Sequence, residues 1–171
     1  AEFSEKVAWF FHAALQGSGA APHALAALEH VRSAKLAQGL VGDGQCFTLV
    51  QLARALRSQG TVPALTELFS RGCVSLSFQF GVRQPAATLF EACLARLAKR
   101  GISPGEVLHV APRLKEELAP AKKLGMCTAL YAGDAASLGA TPGEVNDPSL
   151  RPDRILTDLR QIRQIVKIDP N

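Results

Sequence analysis

"LHVAPRLKEELAPAKKLGM", residues 108–126, is the stretch from which the fold can be read. An apolar run of strand character enters a tight turn, and a helical pattern follows with Glu116 and Glu117 in its second turn. The run "VLHVA" at 107–111 is continuous rather than alternating, as in a parallel strand covered on both faces. Leu114, Leu118, Ala121 and Leu124 recur at helical spacing over 113–125, and Gly125 closes that helix. In parallel α/β sheets, ligand sites lie at the carboxyl ends of the strands. The residue at this strand end is Pro112, which offers neither a charge nor a backbone donor.

The same alternation extends in both directions. Downstream, "CTALYA" (127–132) reads as the next strand, and a long loop follows with one possible helical turn at "TPGE". A short strand near 154–156 then leads into a helix over 158–167. Upstream, "SPGE" (103–106) has the Ser-x-x-Glu signature of a helix start, and helix 86–100 buries Leu89, Phe90, Cys93, Leu94 and Leu97. Before these come a strand at 73–78, a short helix around 64–70, a helix at 47–59 and a strand at 38–42. Helix 22–36 turns Leu25, Leu28 and Val31 inward, with Pro22 in its first turn. Helix 3–16 gathers Phe3, Val7, Phe10, Phe11 and Ala14 on one face. The pattern predicts an α/β protein: a Rossmann-like parallel sheet with helices on both faces and right-handed crossovers, preceded by an N-terminal helix.

Length and composition agree with one domain. The chain has 171 residues, 47% apolar and 20% charged, enough to build a core of its own. No apolar run approaches the roughly 18 residues of a membrane span, so no membrane association is expected. The N-terminus carries acids within its apolar pattern and reads as a helix, not a signal peptide. Cys46, Cys73, Cys93 and Cys127 are scattered without metal-ligand spacing and are expected as core thiols in a reducing cytoplasm. The net charge of +4 concentrates at "RLAKR" (96–100) and "RQIRQIVK" (160–167), read as helix C-termini where cations offset the macrodipole. Neither patch has aromatic residues beside it, which argues against nucleic-acid binding.

Read in order, "LVGDGQ" (40–45), "FGVRQPA" (80–86) and "LHVAPRLKEE" (108–117) resemble the haloacid dehalogenase-like (HAD) hydrolases. Those enzymes carry a strand ending in Ser or Thr in an "LLSNG"-like turn, a Lys in a "GVRKP"-like turn, and a strand reading "HVGDxxxxD". Flanking blocks such as "PHALAALEHVRSAKLAQGLVGDGQ" and "RPDRILTDLRQI" extend the likeness over residues 20–168. It implies an α/β core over 19–171, with residues 1–18 resembling part of the family's helical cap.

The resemblance also implies roles that can be checked position by position. The family's Asp nucleophile sits in a "DxDGT"-like segment on a strand before the cap, and this sequence contains no such segment. Gly42 stands where the family has its hydroxyl, Gln84 where it has Lys, and Pro112 where it has the first metal-binding Asp. The later acid corresponds to Glu116 or Glu117. A lone Glu makes a poor magnesium site, so no metal or other cofactor is expected. The resemblance therefore implies a non-catalytic HAD-like domain that binds or scaffolds through protein contacts. The alternative is a magnesium-dependent phosphohydrolase whose nucleophile comes from an N-terminal segment or partner. A third possibility is an anion held by the amides after Gly42.

The family's first strand lies at the centre of its sheet, between those ending here at Gly42 and Ala111. Those two strands are expected either to close on each other or to receive a strand from upstream sequence, another subunit or a swapped segment. Among individual residues, Asp43 is expected to cap the following helix, with an orientation toward the site as the alternative. His109 is expected as a satisfied core histidine. His12, His23 and His30 lack ligand spacing, and Trp9 is expected at an interface.

Overall fold

Two small parallel sheets, not one, form the centre of this computed structural model, which describes residues 2–15, 19–135 and 138–166. The chain opens with α1 (Glu2–Leu15) and α2 (Ala24–Ser33), then enters β1 (Leu40–Gly42). Next come α3 (Thr48–Arg57), the short α4 (Leu65–Leu68), β2 (Val74–Leu76), the single turn α5 (Ser77–Phe80) and α6 (Ala87–Ala98). A 3₁₀ turn at Pro104–Glu106 leads to β3 (Leu108–Ala111). A π-helical turn (Leu114–Leu118) runs into α7 (Ala119–Lys123) and β4 (Cys127–Tyr131). After α8 (Pro142–Asn146) come β5 (Arg154–Leu156), a 3₁₀ turn and α9 (Ile162–Ile165).

β1 pairs with β2, and β4 is the middle strand between β3 and β5. Every pair is parallel, as strands alternating with helices require. The sheet is interrupted between β1 and β3, which do not pair among the described residues. Closure of these strands on each other is thus not what the structure adopts. The break leaves its mark on burial. β4 is buried over Thr128–Tyr131, whereas β1 is only half-buried throughout and β3 is half-buried up to Ala111. The run at 107–111 is packed on both faces, as expected: Val107 and His109 against α6, and Leu108 and Val110 against the Ala129, Tyr131 and Leu156 cluster, so its partial exposure is at the open edge.

Helix α6 holds the two parts together. Leu89 and Phe90 are fully buried, and their cluster takes in Val41 of β1 and Val107 at the head of β3. Cys73, Cys93 and Leu97 continue that core against Ala37 and Ile102. Truncating a buried Phe such as Phe90 to Ala costs about 3–5 kcal/mol in comparable cores.

Several local expectations change. The helix expected from residue 22 begins at Ala24, behind His23 in a left-handed conformation at φ 64. The helix expected over 113–125 starts as a π turn: Pro120 has no N–H for an α-type bond, and Leu118 N donates to Arg113 O at 3.2 Å. Strand 73–78 ends at Leu76, where α5 takes over. Cys73 and Cys93 are buried thiols as expected, but Cys46 and Cys127 are exposed. Arg160 lies at a helix start, paired with Asp158, rather than at a C-terminus. Trp9 packs inside the chain, edge-on to Phe47 at 5.4 Å and under Arg54. Phe3, Val7 and Phe10 of the same helix face solvent. The side chain of His12 lies outside the described residues.

Candidate functional site

The turns after β1 and β3 and the segment before α6 meet in one polar cluster. The first is pinned by Ser77, whose Oγ accepts from Gly44 N at 3.0 Å and donates to Gly44 O at 3.1 Å. That leaves Asp43 at the end of β1 pointing across to the 81–86 segment, where its Oδ1 accepts from Gln84 N at 3.0 Å. The expected helix cap is not formed. α3 starts at Thr48, with Phe47 at its N-cap and no side-chain cap, and Asp43 takes the orientation toward the site.

From the other side, the end of β3 contributes Arg113. Its Nη2 donates to Gln84 Oε1 at 3.2 Å and to Glu117 Oε1 at 3.0 Å, while its backbone N donates to Glu117 Oε2 at 3.0 Å. Glu117 stands one turn after Arg113, its N donating to Arg113 O at 3.2 Å, so the two side chains are i,i+4 neighbours. Glu117 is 9% exposed, and its carboxylate is held by one residue through two bonds. The hydrogen bond to Glu117 raises the Arg113 pKa, with Asp43 and Glu116 adding to the effect. Behind Arg113 stands Gly139, where an added Cβ would meet Arg113 Cγ at 2.9 Å. Its N donates to Pro112 O at 3.0 Å and its O accepts from Leu114 N at 3.0 Å.

Asp43, Gln84 and Glu117, three of the positions singled out in the sequence, thus join one network, and Arg113 is the residue that links them. The sequence held a signal for Arg113, since it stands four residues before Glu117 at a strand end. Gly42 closes β1 with nothing within 4 Å of an added Cβ, so a side chain would fit there. Pro112 contributes only its carbonyl, and Glu116 is exposed. Gly44 N, an amide that could have helped cradle an anion after Gly42, is taken by Ser77.

Two buried polar atoms near the cluster have no partner among the described residues: Gln84 Nε2 and His109 Nε2. His109 sits edge-on to Phe90 at 5.3 Å, and burial lowers its pKa against the opposing pull of Glu117. It is a core histidine, as expected, but not a satisfied one.

A magnesium ion needs several hard oxygen ligands in near-octahedral array. Pro112 supplies no side-chain oxygen, and the Glu117 carboxylate is already engaged by Arg113. No grouping of three or more His, Cys, Asp or Glu suited to a metal ion occurs among the described residues. The residues present do not fit magnesium.

The fold itself is shared with solved HAD proteins. A HAD phosphatase from Thermococcus onnurineus superposes with TM-score 0.65 at 20% identity, over 98% of this chain and 66% of that one. A HAD family hydrolase from Deinococcus radiodurans R1, with bound phosphate and sodium, gives 0.67 at 20% over 99% and 70%. A 2-haloacid dehalogenase from Pseudomonas syringae pv. Tomato DC3000 gives 0.62 at 19% over 95% and 59%. The chain therefore has the fold of the haloacid dehalogenase-like hydrolases, and it spans 56% to 66% of the length of the first structures it matches. No protein-family model and no curated protein matches the sequence. No described helix is long and apolar enough to cross a membrane.

Proposed function

We propose that this chain is a binding or scaffolding module on the HAD-like fold, without hydrolytic turnover of its own. The observation that carries the reading is the Arg113–Glu117 pair. The acid matching the family's later carboxylate is closed onto a neighbouring guanidinium and backbone N–H. An anionic substrate approaching the strand ends meets no uncommitted cation in this network, because Arg113 already serves Gln84 and Glu117. Gln84 can donate a hydrogen bond but cannot neutralise a phosphoryl group. Helix α1 is read as the remainder of a cap, and its exposed Phe3, Val7 and Phe10 suit protein contact better than closure over a substrate.

A phosphohydrolase completed by an Asp-bearing segment from outside these residues is the second reading. The phosphate bound to the Deinococcus radiodurans neighbour and the space beside Gly42 favour it. The test is a panel of phosphate monoesters, including p-nitrophenyl phosphate, assayed with magnesium on the wild-type chain and on Glu117→Ala. The proposal expects no turnover above buffer from either. Magnesium-dependent turnover that disappears in Glu117→Ala would overturn it.

A further inference from the structure

Residues 146–154, "NDPSLRPDR", mix acids with arginines, yet no ion pair joins them among the described residues. Asp147 keeps its Oδ1 on Ser149, accepting from its N and its Oγ at 2.8 Å each. Asp153 turns inward, where its Oδ2 accepts from Thr128 N at 2.7 Å and from Thr128 Oγ1 at 2.9 Å. Both carboxylates thus hold the loop in place, and the guanidinium groups beside them are left over. The Arg151 side chain is exposed, with no hydrogen bond or ion pair among the described residues. Arg154 gives Nη1 to Asp153 O at 3.1 Å and keeps the rest of its donor fork. Lys122 adds a third cation, its Nζ donating to Arg151 O at 2.6 Å.

Arg151 and Arg154 line a groove of about 220 Å³ with Asn146, and Val145, Pro152 and Ile155 form its apolar part. That is below the roughly 300–1,000 Å³ of small-molecule sites and suits an acidic side chain better than a whole metabolite. The groove borders β5, an outer strand of its sheet. Ala132 N donates to Leu156 O at 2.7 Å, so Leu156 serves β4 and Ile155 turns its own N–H and C=O to the open edge. The register with Ala129 and Leu130 puts the Arg154 and Ile155 side chains on opposite faces of the sheet. Ile155 is 52% exposed. A strand laid on this edge therefore meets a guanidinium on one face and an apolar side chain on the other.

We propose that the groove beside β5 binds an extended acidic segment of a partner protein, its carboxylates taken by Arg151 and Arg154 and its alternate apolar side chains by Ile155. This deepens the binding-module reading and rests on it. The groove lies at the amino end of β5, whereas the Asp43–Glu117 network lies at the carboxyl ends of β1 and β3, so the two sites are separate. The chain's own upstream sequence enters beyond the carboxyl end of β1, where Trp9 of α1 packs on Phe47. That is the other sheet and the opposite end, which favours a separate polypeptide as the donor. No aromatic side chain lines the groove to stack a base, which favours polypeptide over nucleic acid.

The probe is a fluorescein-labelled heptapeptide of alternating Val and Glu, with alternating Val and Gln as its control, read by fluorescence anisotropy on the intact chain. The Glu peptide is expected to bind saturably and about tenfold tighter than the Gln peptide. Arg151→Gln and Arg154→Gln are each expected to weaken it about tenfold, the loss of a hydrogen bond to a charged group. Arg100→Gln removes the same charge from an exposed site at the end of α6 and is expected to change nothing. Circular dichroism reports whether the variants fold. Ile155→Glu keeps both arginines and sets an acid on the rim; it is expected to weaken binding too, and decides the matter if an arginine variant unfolds. No saturable binding, equal affinity for the Gln peptide, or equal weakening by Arg100→Gln would each overturn the proposal. So would inorganic phosphate or a labelled oligothymidylate binding as tightly as the peptide and with the same dependence on Arg151. Tighter peptide binding by Asp169→Asn, in the tail beyond the described residues, would mark the chain itself as the occupant and overturn it as well. Turnover in the phosphate-ester assay would end the non-catalytic reading and leave peptide binding standing, so the two can fail separately.

Discussion

Replacing Glu117 by Ala separates a structural carboxylate from one held ready for a ligand. The side chain is 9% exposed and accepts two bonds from Arg113, at the backbone N and at Nη2, both at 3.0 Å. Losing the first strands a half-buried N–H, which costs about 1–3 kcal/mol. The ion pair adds only about 0–1 kcal/mol, because the Arg113 side chain is 43% exposed and screened by water. Each methylene of the Glu117 stem removed from its packing adds about 0.8 kcal/mol. The expected loss for Glu117→Ala is therefore about 2–5 kcal/mol. Glu117→Gln keeps the stem and an acceptor for Arg113 N, and is expected to lose only about 0–1 kcal/mol. Urea denaturation followed by circular dichroism reads both, since the midpoint shifts at constant slope. Carboxylates kept for function are commonly held at a cost in stability, and their removal is neutral or stabilising. An Ala variant as stable as the wild type, or more so, would refute the assignment of Glu117 to structure.

Three further outcomes follow from the packing. His109 has its pKa lowered from 6.5 by burial, so the unfolded chain binds a proton that the folded chain refuses. Stability should accordingly fall as pH drops below 6.5, and urea midpoints of His109→Gln should lack that slope. A thiol reagent should modify the exposed Cys46 and Cys127 in the native protein and reach Cys73 and Cys93 only on unfolding, with Cys93 further protected by a pKa that burial pushes up to about 12. Gly39→Ala drives a Cβ to 2.9 Å from both Cys73 O and Cys93 Sγ, and should cost about 1–3 kcal/mol by overpacking, read as a lower melting temperature.

Much of this molecule is legible in the sequence, for identifiable reasons. The apolar run at 107–111 and the helical spacing of Leu114, Leu118 and Ala121 mark β3 and the helical segment after it, because burial imposes those periods. The Ser103/Glu106 and Thr141/Glu144 pairs mark the turns they cap. What the pattern could not give is pairing. Strand periodicity says which residues can be enclosed but not whether a neighbour is present, so it left open whether β1 and β3 close on each other, and in the structure they do not pair. The site shows the same division. Gly42, Gln84, Pro112 and Glu117 could be located by motif, whereas the orientation of Asp43 depends on Ser77 holding the Gly44 turn from another strand. The role of Arg113 depends on Glu117 one turn on and Gln84 from another segment, and on the space Gly139 leaves for its stem.

What Glu117 and its neighbours bind decides most directly whether this is a module without turnover. Isothermal titration of magnesium into the wild-type chain and into Glu117→Ala, each with and without inorganic phosphate, is the measurement that tests it. With the carboxylate committed to Arg113 and Pro112 offering no ligand, neither protein should show saturable heat. Saturable magnesium binding by the wild type, lost in Glu117→Ala, would contradict the account.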